Sequence, residues 1–369
     1  MTDLSAAHGD LAATGAPPAR LTIDLEALAD NYASLVALAA PSEVAAVVKA
    51  DAYGLGIGPV VGRLAAAGCR SFFVAAVEEG LRLRRLLPDG RIFVLQGPAG
   101  AIAACREARL TPVLNTLADV RDWAHAGTGA PAALQLDTGM TRAGIDAQEL
   151  EQLLAAPELL AAIRLELLLT HLACADDPLH PLNAEQLERF NALRARLPDL
   201  PTSIGNSAGT LLGAPYRGDL VRPGIALFGG RPVLAGVNPM RAVVRLEARV
   251  LQIRTLREDA WVGYGATWRA SASSRIATLG AGYADGYPRA LGGRGIVAAA
   301  GRRVPVVGRI SMDLTTIDIT ELEPDALAVG DYVDLIGGGI ELDEVAARAG
   351  TISYELLTGL APRLARRWR

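Results

Sequence analysis

Lys49 is the residue of this chain whose chemistry is most conspicuous, because it is the only lysine and the other 35 of the 36 basic residues are arginine. A composition bias accounts for the arginines, since both side chains serve as solvated cations. Their reactivities differ: a lysine amine can lose its proton and attack a carbonyl, whereas a guanidinium stays protonated. Lys49 is therefore a candidate nucleophile, and the alternative is chance survival under the bias.

Other polar groups and a glycine lie in or just after later apolar runs, as Lys49 is the second-last residue of the first run. They are Asp137, Arg142, His171, Asn206, Ser207, Arg222 and Gly224. Taken singly, each has a structural explanation, such as a solvated loop cation, a core histidine or a helix cap. Together, the Ser207 hydroxyl and the backbone N–H groups of Gly224 and Ile225 offer a cradle for a phosphate. A Schiff-base lysine with such a cradle favours pyridoxal phosphate, with an aldolase-like enzyme as the alternative.

These residues need a fold that brings strand ends to one face. Between about residues 44 and 229, eight short apolar runs alternate with helix-like segments. The runs lie at 44–50, 71–75, 92–97, 111–115, 132–138, 166–172, 202–207 and 220–229. This pattern predicts an α/β fold, a (β/α)8 TIM-type barrel whose strand ends form a common rim. A doubly wound open sheet would bring a glycine-rich phosphate turn after an early strand, and the sequence has none there.

The sequence pattern changes after about residue 245, where strand-like runs are separated by Gly, Pro and Asp turns. We predict three parts: a disordered tail over 1–19, the barrel over 20–245 and a mostly β domain over 246–369. The strand-like segment 20–28 is a candidate to pair with the β domain.

Composition limits the classes of function. The chain has 369 residues, 51% of them hydrophobic and 21% charged, with a net charge of −4, which describes a globular protein with a large core. The interspersed charges argue against nucleic-acid binding, and no apolar stretch is suited to a membrane. Three widely spaced cysteines and four histidines give no metal-binding pattern. Without a secretion-signal pattern at the N-terminus, a cytoplasmic location is expected.

Nine motifs, in order from about residue 20 to the C-terminus, resemble alanine racemase. They are AVVKADAYGLG at 46–56, LDTGMTRAG at 136–144, THLACAD at 170–176, GNSAG at 205–209, VRPGIALFG at 221–229, GYGATW at 263–268, GYADGYPR at 282–289, GRISMD at 308–313 and DEVAARAGTISYELL at 343–357. The resemblance implies a pyridoxal-phosphate enzyme that interconverts L- and D-alanine and supplies D-alanine for peptidoglycan. It also implies a homodimer whose sites lie between the barrel of one subunit and the β domain of the other. A broad-specificity or serine-preferring racemase is the alternative, and a pyridoxal-phosphate decarboxylase a more distant one.

The resemblance also implies residue roles. Lys49 would hold the cofactor and act as base on one face of the substrate, and Tyr264 of the partner subunit would serve the other face. Two opposed groups suit racemisation, because a proton leaves one face and another returns to the opposite face. The further cofactor-binding positions are Tyr53, His171, Asn206, Ser207, Arg222, Gly224, Ile225 and Tyr354. Substrate would be held by Arg142 and the backbone near Met312, and an access channel would be lined by Asp176, Tyr283, Arg289, Arg309 and Ile352.

Arg222 matches the residue that faces the cofactor's ring nitrogen. Because a guanidinium keeps its proton, it would leave that nitrogen unprotonated and weaken the ring as an electron sink, which disfavours side reactions and a decarboxylase. The chain departs from the family at Leu55 and Phe228, where histidine and tyrosine are common. Gln135 stands where most relatives carry a carbamylated lysine, and predicts either a bound anion beside Arg142 or weaker positioning of that arginine.

Overall fold

The computed structural model describes residues 15–126, 129–234 and 236–369. The chain divides into two compact units, Asp24–Val243 and the combination of Met1–Ile23 with Val244–Arg369. Of the tail predicted over 1–19, residues 1–14 lie outside the described part of the chain. The carbonyl of Pro17 accepts the Tyr332 hydroxyl at 2.6 Å, and β1 begins two residues later (Ala19–Ile23). The strand-like stretch at 20–28 is a strand only to Ile23, because Asp24 caps the helix that follows.

The unit Asp24–Val243 is built on parallel strands. They are β2 (Glu43–Val44), β3 (Ala46–Val47), β4 (Ser71–Val74), β5 (Arg91–Val94), β6 (Thr111–Leu114), β7 (Pro131–Gln135), β8 (Arg164–Leu169), β9 (Thr202–Ser203) and β10 (Leu220–Val221). Strands β3 to β9 pair in chain order, and β10 pairs with β2. Backbone bonds from Ala45 N to Val221 O (2.9 Å) and from Arg222 N to Gly205 O (2.8 Å) join β10 to the first strand and to the segment after β9. The predicted fold class, a TIM-type barrel followed by a mostly β domain, is confirmed.

Helices alternate with these strands. They are α1 (Leu25–Ala39), α2 (Lys49–Tyr53), α3 (Ile57–Ala66), α4 (Val77–Leu86), α5 (Ile102–Glu107), α6 (Leu117–His125), α7 (Ala147–Leu154), α8 (Pro157–Ala161), α9 (Leu182–Arg194) and α10 (Ser207–Leu211). Side-chain caps fix several starts; the Asp24 carboxylate, for instance, accepts the Ala27 N–H at 2.9 Å. Strand side chains are buried on both faces of the barrel, as Phe72 and Phe73 illustrate. In the described ranges, no helix combines the length and the apolar character needed to cross a membrane.

The second unit is mostly β-sheet. Its strands after β1 are β11 (Val244–Leu256), β12 (Trp261–Val262), β13 (Trp268–Arg269), β14 (Ser274–Leu279), β15 (Ile296–Ala299), β16 (Arg302–Pro305), β17 (Thr315–Asp318), β18 (Tyr332–Ile336) and β19 (Ala365–Trp368). The main sheet path is β16-β15-β18-β11-β1-β19, and β14 joins β11 to β17. Strand β1 is antiparallel to β11 and parallel to β19. Helices α11 (Leu342–Ala349) and α12 (Ser353–Thr358) follow β18.

Candidate active site

Lys49 lies just beyond the carboxyl end of β3, on the barrel rim, and is half-buried. Burial lowers the pKa of its amine below the usual value, and the positive charge of Arg142 lowers it further. Glu79 acts in the opposite direction on this pKa. The amine therefore loses its proton more readily than that of an exposed lysine, as a nucleophile or general base requires.

The backbone after Lys49 forms a left-handed turn. Residues 50–53 have φ values between 54° and 56°, although none of them is glycine. A left-handed helical backbone costs about 1–2 kcal/mol per non-glycine residue. The turn is tied by Gly54 N to Ala50 O (2.7 Å) and by the Asp51 carboxylate, which accepts the Ile57 N–H at 2.8 Å. Strain of this kind concentrates at functional sites, and here it directly follows the candidate nucleophile.

Tyr53, the last residue of the turn, helps to form a cradle of polar groups. A Cβ placed on Gly224 would lie 2.1 Å from the Tyr53 hydroxyl, so only glycine lets that hydroxyl approach the backbone. The Ser207 hydroxyl accepts the N–H groups of Gly224 at 2.8 Å and of Ala226 at 3.3 Å. The Tyr53 ring contacts Phe228, with 4.7 Å between centroids, so phenylalanine preserves this packing.

Asn206 and Ile225 support the same cradle. The Asn206 side chain accepts the Gly209 N–H at 2.9 Å, which makes Asn206 the cap of α10 and Ser207 its first residue. Ile225 is fully buried behind the backbone it supplies. Hydroxyls and backbone N–H groups that converge in this way are suited to a phosphate.

Arg222 is buried, with 4% of its surface exposed. Its guanidinium donates to the Ser203 hydroxyl at 2.5 Å and to the Thr170 carbonyl at 2.7 Å. Among the described residues, its hydrogen-bond partners are neutral oxygens, and burial lowers its pKa to about 10. The guanidinium thus remains protonated at neutral pH and its charge is not cancelled by a carboxylate.

His171 follows β8 and carries a neutral ring. Burial lowers its pKa to about 3, and the positive charges of Arg222, Arg142 and Lys49 act in the same direction. The structure therefore brings these four residues within electrostatic reach on one rim. Such a concentration of positive charge favours an anionic ligand.

Arg142 lies exposed on the loop after β7. The Asp137 carboxylate shapes this loop by accepting the N–H groups of Gly139 (2.9 Å) and Thr141 (3.1 Å). Gln135 donates from Nε2 to the Ala143 carbonyl at 2.8 Å, so its amide group holds the loop backbone. The loop borders a cavity of about 590 Å³, which opens near the ends of β5 to β7.

The remaining barrel position, Asp176, is exposed, and its carbonyl accepts the Leu234 N–H at 2.8 Å. Nothing in these contacts distinguishes it from an ordinary loop residue. Its predicted place in an access channel stays a prediction.

The other predicted residues belong to the β unit. Tyr264, 71% exposed, begins a 3-10 turn at Tyr264–Ala266. Arg309 packs on this turn, because a Cβ on Gly265 would lie 3.0 Å from its guanidinium. Tyr283 and Met312 lie on two loops joined by bonds from Tyr283 N to Ser311 O (3.1 Å) and from Ala284 N to Met312 O (2.9 Å).

Arg289 begins a 3-10 turn, Ile352 precedes α12 and Tyr354 lies in its first turn. All three side chains are exposed on this unit. The structure thus gathers the barrel residues at one rim and the β-unit residues on that unit's surface, and a shared site between them remains a prediction.

Sequence reasoning missed two carboxylates that organise these loops. Glu79 accepts the Ala50 N–H at 2.8 Å, and the only available signal was its place at the third position of a helix. Asp285 is buried, accepts the Gly282 N–H at 2.9 Å and pairs with Arg363. The sequence carries no signal for that pairing.

The barrel fold and the rim define a class of protein: a barrel enzyme that presents a reactive amine beside an anion-binding cradle. The family model "Alanine racemase, N-terminal domain" matches residues 23–232, and "Alanine racemase, C-terminal domain" matches 243–368. The chain therefore belongs to the alanine racemase family.

Relatives and solved structures agree with this assignment. The chain is 50% identical to alanine racemase of Rhodospirillum rubrum, covering 95% of this chain and 96% of the relative. It is 48% identical to "Alanine racemase, catabolic" of Agrobacterium fabrum, covering 96% and 93%. The Bartonella henselae alanine racemase structure, described with covalently bound pyridoxal phosphate, superposes with a TM-score of 0.92 at 39% identity, covering 96% of this chain and all of that one.

Proposed function

We propose that this protein interconverts L- and D-alanine with pyridoxal phosphate as cofactor. The observation that carries the proposal is Lys49: a half-buried amine of lowered pKa, at a strand end that shares its rim with a phosphate-type cradle. The names of the relatives, and the cofactor named for the Bartonella structure, support the substrate and the cofactor.

The residues of the rim fit pyridoxal phosphate. The hydroxyls of Tyr53 and Ser207, with the N–H groups around Gly224 and Ile225, would hold its phosphate, and we propose Tyr354 and Asn206 as further contributors. The neutral, half-buried His171 would support Arg222 and the ring. When bound, the cofactor withdraws electrons from the substrate Cα and so makes its hydrogen acidic.

Lys49 has two tasks in this proposal. Its unprotonated Nζ would hold the cofactor, and the same Nζ would remove or return the Cα proton on one face of the substrate. Arg222 keeps its own proton and would face the ring nitrogen without protonating it. An unprotonated ring nitrogen would withdraw fewer electrons from the substrate Cα. Return of a proton to Cα would then be favoured over other reactions.

The opposite face requires a second group, and we propose Tyr264 of the partner subunit in a homodimer. Its phenol oxygen would exchange a proton with the Cα on the face that Lys49 does not reach. The large side chains of Tyr264, Met312 and Ile352 are each more than half exposed, at 71%, 54% and 61%. Exposed groups of this kind are available to complete a site on a second copy of the chain.

Arg142 would pair with the substrate carboxylate, with help from the backbone near Met312. Tyr283, Arg289, Arg309, Ile352 and Asp176 would line the access channel. Gln135 holds the loop that carries Arg142 through its hydrogen bond to the Ala143 carbonyl. We propose that either an anion binds beside Arg142 or this arginine is held less firmly. We further propose a cytoplasmic enzyme that supplies D-alanine for peptidoglycan.

Racemisation by the purified protein tests the function. We expect interconversion of L- and D-alanine to exceed that of serine and of arginine; equal or faster reaction of serine would favour the broader-specificity alternative. Lys49→Ala should abolish the visible absorbance of the bound cofactor. It should also lower the rate of racemisation by about 10²- to 10⁴-fold. Lys49→Arg is the matched control, because it retains the charge and lacks an amine that loses its proton. Racemisation that survives both substitutions would contradict the proposal.

A further inference from the structure

Glu79 divides the two oxygens of its carboxylate between two elements. Oε2 accepts the N–H of Ala75 at 2.7 Å and of Ala76 at 3.4 Å, at the start of α4. Oε1 accepts the N–H of Ala50 at 2.8 Å. One carboxylate thus ties the residue directly after Lys49 to a helix 29 positions further along the chain.

The bond to Ala50 acts where the backbone is strained. Ala50 is the first residue of the left-handed turn, and its side chain is exposed, so no packing on that methyl group holds its conformation. Later residues of the turn are held from within, as by Ala52 N to Val48 O at 3.0 Å. The first N–H of the turn is held from outside, by Glu79.

The negative charge of Glu79 also acts on the amine, because it raises the pKa of Lys49. Among the described residues, the charged groups that act on Lys49 are Arg142, from the loop after β7, and Glu79, from α4. His171, at the end of β8, faces the same group of cations with a neutral ring. Glu79 is thus the negative member of the set, and it opposes the effect of Arg142 on the amine.

We propose that Glu79 is a positioning residue for Lys49: its carboxylate holds the left-handed turn that places the lysine and provides the counter-charge to its amine. The catalytic significance of this role rests on the proposed function of Lys49. The competing explanation is that Glu79 only caps α4 through Oε2, in which case its loss would lower stability and leave Lys49 unaffected.

The single lysine makes the test direct. The intact chain, freed of any cofactor, is labelled with trace acetic anhydride over a pH series, and acetylation of the Lys49 peptide is followed by mass spectrometry. Glu79→Gln retains an acceptor oxygen and loses the charge; Glu79→Ala loses both. Glu78→Gln, at the adjacent exposed position of α4, is the matched control for net charge.

We expect the Lys49 titration to move to lower pH in Glu79→Gln and to be unchanged in Glu78→Gln, since removal of a nearby negative charge destabilises the ammonium form. In Glu79→Ala, amide hydrogen exchange at 50–57 should accelerate by roughly three- to tenfold, as loss of one hydrogen bond implies. An unchanged titration and unchanged exchange, with only the melting temperature lowered, would overturn the proposal. These readouts use no turnover, so failure of racemisation would count against the proposed function and leave this result distinct.

Discussion

Arg363 donates two hydrogen bonds to the carboxylate of Asp285, from Nε to Oδ1 at 2.7 Å and from Nη2 to Oδ2 at 2.9 Å. The same guanidinium reaches Oδ1 of Asp313 at 2.7 Å, and Asp285 also accepts the Gly282 N–H. The loop around Tyr283 and the segment around Met312 are therefore fastened together by charge as well as by backbone bonds. Both loops carry residues that we place near the substrate.

Replacing Asp285 with alanine should loosen these loops. The substitution leaves the Gly282 N–H without its acceptor and separates Arg363 from one partner, so we expect a loss of about 1.5–3 kcal/mol in the free energy of unfolding. Denaturant unfolding measures this loss, and steady-state kinetics should show a raised KM for alanine.

Asp334→Ala is the matched control, since Asp334 forms a bidentate pair with Arg245 on the same unit. It should lower stability without changing KM. A similar change in KM for both variants would show that general destabilisation, and not the loop, is responsible.

Subunits with complementary defects should restore one another. If each site combines Lys49 of one subunit with Tyr264 of its partner, a heterodimer of Lys49→Ala and Tyr264→Phe chains contains one intact site and one doubly defective site. Random exchange of equal amounts should then recover about a quarter of the wild-type rate, because half the dimers are mixed and each has one intact site.

The exchange itself is verified by native mass spectrometry with one chain isotopically labelled. Mixed dimers without recovered activity would contradict the shared site. Either variant mixed with itself is the control.

Stability should depend on the titration of His171. Its pKa is about 3 in the folded chain against an ordinary value of 6.5, so the unfolded state binds a proton more readily between these values. The neutral ring thus contributes stability fully above about pH 6.5, and this contribution is lost as pH falls towards 3, by at most about 1.4 kcal/mol per pH unit.

Urea unfolding of the wild type and of His171→Gln over this pH range measures the effect. We expect the variant to show a shallower decline at acidic pH. Parallel curves for the two proteins would mean that other groups account for the acid sensitivity.

Much of the architecture follows from local patterns. Each of the eight predicted runs overlaps a barrel strand, because strands buried on both faces require continuous apolar residues. The placement of Lys49, Ser207 and Arg222 on one rim follows in turn, since parallel strands of a barrel end on the same side. The strand predicted over 20–28 was too long because a capping aspartate at residue 24 outweighs the apolar residues after it.

The sequence by itself determined the barrel, the reactive lysine and the family, all of which depend on residue type and short-range order. Tertiary structure alone decided how the reactive groups are held. A left-handed turn without glycine is locally unfavourable, so no propensity predicts it, and its tether Glu79 lies 29 residues from Ala50. Arg363 and Asp285 are 78 residues apart in the sequence, and only the packing of the folded chain brings such partners together.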